Sequence, residues 1–225
     1  MQPRARVSSL AVLLAVLLAA CSASGGNGSG SAGTAATPTP SAGAPAPPAS
    51  AALTPPSPSS PEAWPVPPGW RSEVIKFPLD FAPSIAHRGF EDLRFPPGFF
   101  DPASGDYWSY TFLWRTEDLA QLDAAALGAE LTAYFRGLVA AVDQKNRITA
   151  RDEIVARATA DGPARFQLSA HVFDAFKTAA PLDLAGFAER RPCRVGALWV
   201  FVLAPAATQL RPRLEELARA ARCAD

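Results

Sequence analysis

The aromatic residues of this 225-residue chain begin at Trp64, and that boundary constrains the fold more than any other feature. All 5 Trp, 3 Tyr and 13 Phe lie beyond residue 63. Ser22 to Ala63 is instead almost wholly Gly, Ser, Ala, Thr and Pro, with Glu62 as its single charge. Such a stretch buries too little apolar surface to offset the entropy of ordering its backbone, so it is expected to act as a disordered tether. Its Gly/Ser-rich start predicts flexibility and its Pro-rich remainder a stiffer polyproline II character, with a glycosylated Ser/Thr/Pro stalk as an alternative. The segment beyond it, roughly 160 residues long, suits one domain with one core. The expected organisation is a signal over 1–20, a tether over 21–63 and a globular domain over 64–225.

The first residues supply an address. Arg4 and Arg6 precede an apolar run from Leu10 to Leu18, and Leu18-Ala19-Ala20-Cys21 follows. The run has the length of a signal peptide and is too short for a permanent span of roughly 20 apolar residues. These four residues resemble the lipobox of bacterial lipoprotein precursors. The resemblance implies cleavage before Cys21 and acylation of its sulfur and its new amine, which would anchor the protein stably. An ordinary secretory signal cut elsewhere is the alternative. The implied location is the extracytoplasmic side of a membrane, the outer one if the cell has two, because Ser22 rather than Asp follows the cysteine.

Removing Arg4 and Arg6 from the 21 basic residues leaves 19 against 21 acidic. A near-neutral chain lacks the basic surface that nucleic-acid binding needs, and no polybasic stripe for anionic headgroups is visible. Three cysteines are present; with Cys21 lipidated, Cys193 and Cys223 form an even pair in a compartment where disulfides persist. Cys193 closes one expected strand and Cys223 ends the last expected helix, so a strand followed by a returning helix brings them together. Zinc ligation has no CxxC or neighbouring histidine in its favour, and two free thiols are the other alternative.

Short strands are expected at Val74 to Phe77 and Phe90 to Phe95. In Tyr107 to Trp114, strict alternation puts Trp108, Tyr110, Phe112 and Trp114 on one face. Asp123 caps an expected helix reaching Val142, with Leu127, Leu131, Tyr134, Phe135, Leu138 and Val142 on its apolar side. Ile148 to Thr159, the Asp161-Gly162 turn and the alternating Arg165 to Phe173 read as a hairpin. Leu184 to Cys193 and Val195 to Leu203 are further strands, the latter apolar on both faces as for a strand covered on both sides or at a subunit contact. A helix from about Thr208 to Arg222 carries Pro212 in its first turn and Leu210, Leu214, Leu217 and Ala221 inward. The expected class is α+β, with a mainly antiparallel sheet of about five to seven strands and two packed helices. The run Gly89-Phe90-Glu91-Asp92-Leu93-Arg94-Phe95, with Pro97-Gly98 and Tyr107-Trp108-Ser109-Tyr110, resembles domains of uncharacterised bacterial envelope proteins and implies no function.

The catalytic inventory is thin. GxSxG, Walker A and HExxH are missing, no GxGxxG follows a strand, and no metal or cofactor is expected. His171 falls on the polar face of its strand. His87 lies in an irregular segment and is either a buried, hydrogen-bonded group or a functional one. Asp101 and Asp106 read as turn residues rather than calcium ligands. The neighbouring acids Glu91-Asp92, Glu117-Asp118 and Asp152-Glu153 would point to opposite faces of a strand, which gives paired-carboxylate hydrolysis no support. The rings of Trp108, Tyr110 and Trp114 either form the core under the first helix or, with His87, contact a ligand such as a sugar. Two functions follow as expectations. One is a non-catalytic accessory lipoprotein whose domain binds an envelope protein or wall polymer; the other is a small extracytoplasmic hydrolase or glycan-processing or glycan-binding protein using the aromatic strand. A concave pocket with convergent titratable groups would speak for an enzyme, and a flat apolar patch for docking.

Overall fold

The computed structural model of the chain describes residues 64–118 and 121–223. The expected signal segment, Cys21 and the tether lie outside the described residues. The elements in chain order are β1 (Arg71–Lys76), β2 (Gly89–Phe95), β3 (Tyr110–Thr116), α1 (Ala124–Val142), a 3-10 turn (Arg151–Glu153), β4 (Val155–Ala160), β5 (Arg165–Phe173), β6 (Pro181–Pro192), β7 (Ala197–Pro205) and α2 (Arg211–Ala220). The seven strands make one sheet in the order β1-β2-β3-β7-β6-β5-β4. Every neighbouring pair is antiparallel. Two meanders, β1 to β3 and β4 to β7, are thus joined where β3 meets β7, and the class is α+β with two helices.

Each helix covers one face. Leu127, Leu131, Tyr134, Phe135 and Leu138 of α1 are buried against Phe112, Trp114, Phe166, Leu168, Trp199 and Phe201 of the sheet. Phe112 stacks on Phe201 at 4.4 Å between ring centroids, and Tyr134 lies over Phe112 at 5.9 Å. By length and hydropathy α1 is long and apolar enough to cross a membrane, but this face of it is core. On the other side Leu214, Leu217 and Ala218 of α2 pack on Leu113, Phe187, Leu198, Val200 and Val202. Consequently β7 is covered on both sides, as its uninterrupted apolar run predicts. Trp64 enters on the α2 face, donating its Nε1–H to Leu217 O at 2.8 Å, with the Arg94 guanidinium 4.2 Å from its ring.

Local signals set most boundaries. The Asp123 side chain accepts from Ala126 N at 2.8 Å and starts α1 where the capping signal places it. Several boundaries differ from expectation, and the strand expected from Ile148 starts only at Val155, after the 3-10 turn. The aromatic strand begins at Tyr110, because Tyr107 and Trp108 belong to the preceding turns and Trp108 has φ 53°. Its ring shares the core side through tertiary contacts rather than through strand alternation, while its backbone N–H donates to Phe99 O at 3.2 Å. Strand β6 starts at Pro181, ahead of Leu184, while β7 starts at Ala197 because Val195 and Gly196 form the turn, with Gly196 at φ 73°. Helix α2 spans only Arg211–Ala220, shorter than its apolar period suggests.

Cys193 and Cys223 are joined, with an S–S distance of 2.05 Å. The bond ties the β6–β7 turn to the residues just after α2. Sequence reasoning leaves this helix end held by Leu210, Leu214 and Leu217 alone; the fold adds Trp64 and Arg191, whose guanidinium donates to Ala218 O at 3.2 Å and Ala221 O at 2.8 Å. Opening the bond is expected to lower stability by about 3 kcal/mol through loop-closure entropy, without releasing α2. Urea unfolding of Cys193→Ala, with thiol labelling of Cys223, checks this. Unchanged stability would show that the bond adds nothing to the clamps around it.

Candidate functional site

Three layers meet over the β1 side of the sheet. Register pairs Glu73 with Leu93, Ile75 with Glu91, and Glu91 with Trp114, so Glu73, Ile75, Glu91, Leu93 and Phe95 all point toward α1. Behind them stand Tyr110 and Trp114 of β3, and above them Tyr134 and Leu138 of α1. The segment before β2 approaches α1 closely: a Cβ on Gly137 would lie 2.0 Å from Phe81 O, which brings the Phe81 ring beside Tyr134 at 5.2 Å. Residues 96–109 fold over the same region, carrying Phe99 and Trp108, and the β5–β6 connection contributes Phe176. All of these side chains except Glu91 and Trp114 line an apolar cavity of about 20 Å³.

Two acids lie near this crevice, Glu73 in its lining and Glu91 beside Trp114 and Tyr134. Glu91 is wholly buried; Trp114 Nε1–H donates to its Oε1 at 3.1 Å, and the Tyr134 hydroxyl lies beside the same carboxyl group. Burial pushes the Glu91 pKa up to about 8 against the pull of those donors. Glu73, half-buried at the mouth, is also raised by burial. Glu91 Oε2 and the Tyr110 hydroxyl, both buried, have no hydrogen-bond partner. Burial, reinforced by the nearby Glu91, pushes both the Tyr110 and the Tyr134 hydroxyls well above the usual range.

A second acid cluster lies on the far side of Trp114. His87 is 5 % exposed, with Nδ1 at 2.9 Å from Asp118 Oδ2 and Nε2 at 3.0 Å from Glu130 Oε2. Its ring contacts Phe77 and Trp114. The Glu130 hydrogen bond, joined by Asp118 and opposed by burial, raises its pKa to about 9, so both ring nitrogens carry protons at neutral pH. The imidazolium ties the β1–β2 connection to α1, and both nitrogens are taken up by carboxylates. It is a strut with no nucleophile in contact.

The remaining candidates fall into place around these clusters. Trp108 and Tyr110 line the crevice, while Trp114 and His87 lie behind it. The three aromatic side chains are 2 % exposed or less, so none offers a free face on which a sugar could stack. His171 Nδ1 pairs with the exposed Asp183 at 2.7 Å on the open sheet face. Asp101 Oδ1 accepts from Ala103 N at 2.9 Å within its turn. Asp92 points away from Glu91 and pairs with the Arg94 guanidinium on the α2 side. Among the described residues no group of three or more His, Cys, Asp or Glu side chains is placed to hold a metal ion.

Sequence reasoning missed Glu73, Glu91 and Glu130. A signal existed for two of them: Glu91 shares parity with Leu93 and Phe95, and Glu73 with Ile75 and Phe77, which marks each as an acid on an apolar face. The fold and site define a helix-covered antiparallel α+β domain with an acid-bearing aromatic crevice. No family model matches the chain, and neither a curated protein nor a solved structure does.

Proposed function

We propose that this chain is a lipid-anchored, extracytoplasmic binding module, non-catalytic, whose ligand enters the crevice beneath α1 and whose tether sets the reach of the domain from the membrane. One observation carries the binding reading: Tyr110, a buried residue, lines the cavity, and its hydroxyl has no hydrogen-bond partner. A buried polar group left unsatisfied is costly, and a ligand that meets it gains accordingly. The lipobox Leu18-Ala19-Ala20-Cys21 supports the anchor. A partner in the envelope, a protein or a wall polymer, would then deliver or receive the ligand.

A second reading, a small hydrolase, has Glu73 and Glu91 behind it, two acids in different surroundings beside two tyrosines. A cavity of about 20 Å³ takes one water-sized group and no sugar ring, which favours binding over glycan processing. The test is made on full-length protein extracted from membranes. Intact mass is expected to start at Cys21 with acyl additions, and native mass spectrometry to show a retained small molecule that a crevice-filling Leu138→Phe variant loses. A soluble chain with unmodified Cys21 would overturn the anchor. Hydrolytic activity abolished by Glu91→Gln in a folded protein would overturn the non-catalytic reading.

A further inference from the structure

We infer that the open concavity beside the Cys193–Cys223 bond is an anion site that takes the phosphate group of an ester. It shares no residue with the crevice and does not rest on the crevice being a ligand site.

Two elements bring the charge together. Arg191 and Arg194 come from the end of β6 and the β6–β7 turn, Arg219 and Arg222 from the end of α2 and the residues after it, and all four line a concavity of about 790 Å³. The two pairs are far apart in sequence; the fold and the disulfide set them side by side. Against them stands one lining carboxylate, Glu189, which is already engaged. Arg191 Nε donates to its Oε1 at 2.7 Å and Arg165 Nη1 to its Oε2 at 3.4 Å. A concave wall dominated by one sign of charge concentrates ions of the other.

Part of this charge serves the fold. Arg191 Nη1 donates to Ala218 O and Ala221 O, and Arg222 Nη1 to Arg219 O and Ala221 O, so the negative end of α2 is covered by guanidiniums and does not repel an anion. The rest is spare. Arg194 is exposed and has no hydrogen bond or ion pair with any described residue. Arg219, also exposed, only approaches Glu215 at 3.8 Å, a contact worth little in water.

Geometry decides the class of anion. A carboxylate offers two oxygens in one plane and satisfies a single guanidinium fork, whereas the tetrahedral oxygens of a phosphate can be met by forks from the turn and from the helix end together. The concavity is far larger than a phosphate, and Pro192, Ala221 and the disulfide give it apolar surface on which the organic part of an ester can rest. The chain as a whole is near neutral, so this is a local pocket of charge rather than the extended basic surface that nucleic acid requires.

The experiment is calorimetric titration of full-length protein, extracted in a neutral detergent, with glycerol 1-phosphate, and with acetate and glycerol run in parallel. Saturable binding of glycerol 1-phosphate is expected, at least tenfold tighter than either comparison, weaker as salt rises, and weakened at least tenfold in Arg194→Gln and in Arg219→Gln. Both side chains are exposed, so these variants are expected to melt as the natural chain does. Asp225→Asn, which removes an acid two positions after Cys223 and outside the described residues, is expected to bind at least as tightly. Mixed micelles identify the source of the phosphate. Competition by phosphatidylglycerol but not by phosphatidylcholine assigns a lipid headgroup, and no competition by either assigns a soluble ester. Absence of binding, acetate binding as tightly as the phosphate, weaker binding in Asp225→Asn, or unchanged binding when Arg194→Gln and Arg219→Gln are combined would overturn the site. The crevice reading would stand in each case, since neither arginine lines it.

Discussion

Replacing Asp174 with alanine is expected to cost about 3–5 kcal/mol of stability, the range for removing one partner from a buried charged network. Asp174 follows β5 and is fully buried. Its Oδ1 accepts from Trp108 Nε1 at 3.2 Å, Phe176 N at 3.0 Å and Lys177 N at 3.1 Å. Its Oδ2 accepts from Thr178 N at 2.5 Å, from Thr178 Oγ1 at 2.7 Å and from the Tyr107 hydroxyl. Burial alone would raise its pKa, but Tyr107, Thr178 and Trp108 outweigh that and hold the carboxyl below the usual range. One carboxylate therefore organises the β5–β6 connection and latches residues 96–109 over the crevice. For a domain of this size the loss corresponds to a fall in Tm of roughly 10 °C or more. Urea unfolding monitored by tryptophan fluorescence checks it, and a loss under 1 kcal/mol would mean that the latch is not cooperative with the fold.

The domain is expected to be most stable in mild acid and to weaken steadily toward pH 9, because two buried groups bind protons more tightly when folded. His87 is raised from 6.5 to about 9, chiefly by Glu130, so its contribution is full below pH 6.5 and is lost as pH rises through 9. Glu91 is an acid raised from 4.5 to about 8 by burial, so the folded form keeps a proton that the unfolded chain releases; this contribution too is lost as pH rises from 4.5 through 8. At the acid end Asp118, Asp143 and Asp174 act oppositely. Their folded values lie below the normal carboxylate range, so their support disappears as pH falls below about 4. With His87 discounted for the partial exposure of Asp118 and Glu130, its share of the decline between pH 6 and 9 is about 2 kcal/mol. His87→Gln should lose most of its stability deficit by pH 9. Glu91→Gln, which keeps an acceptor for Trp114, should flatten the profile and exceed the natural chain at pH 8. A stability curve that is level or rising from pH 6 to 9 would refute the assignment of both protons.

What sequence alone determined is what the chain decides within a turn or two of itself. The capping oxygen of Asp123, the helical period of Leu127 to Val142, the alternation of Arg165 to Phe173 and the Asp161-Gly162 turn all reappear in the fold, since each depends on neighbours a few residues away. The Cys193–Cys223 bond was legible too, because, with Cys21 set aside as the expected lipid attachment point, a strand and a returning helix bring the two remaining cysteines together. Tertiary structure alone decided that β3 pairs with β7 and so joins the two meanders. That pairing and the β1–β2 register bring Glu73 and Glu91 to one side of the sheet, beneath Tyr134 of a helix formed much later in the chain. Asp174 reads locally as an ordinary acid after a strand, and Trp108 as a strand residue, yet each is held by the other across the molecule. Periodicity reports which face a residue takes; which distant residues share that face depends on strand order, and strand order is settled by how two large apolar surfaces bury each other.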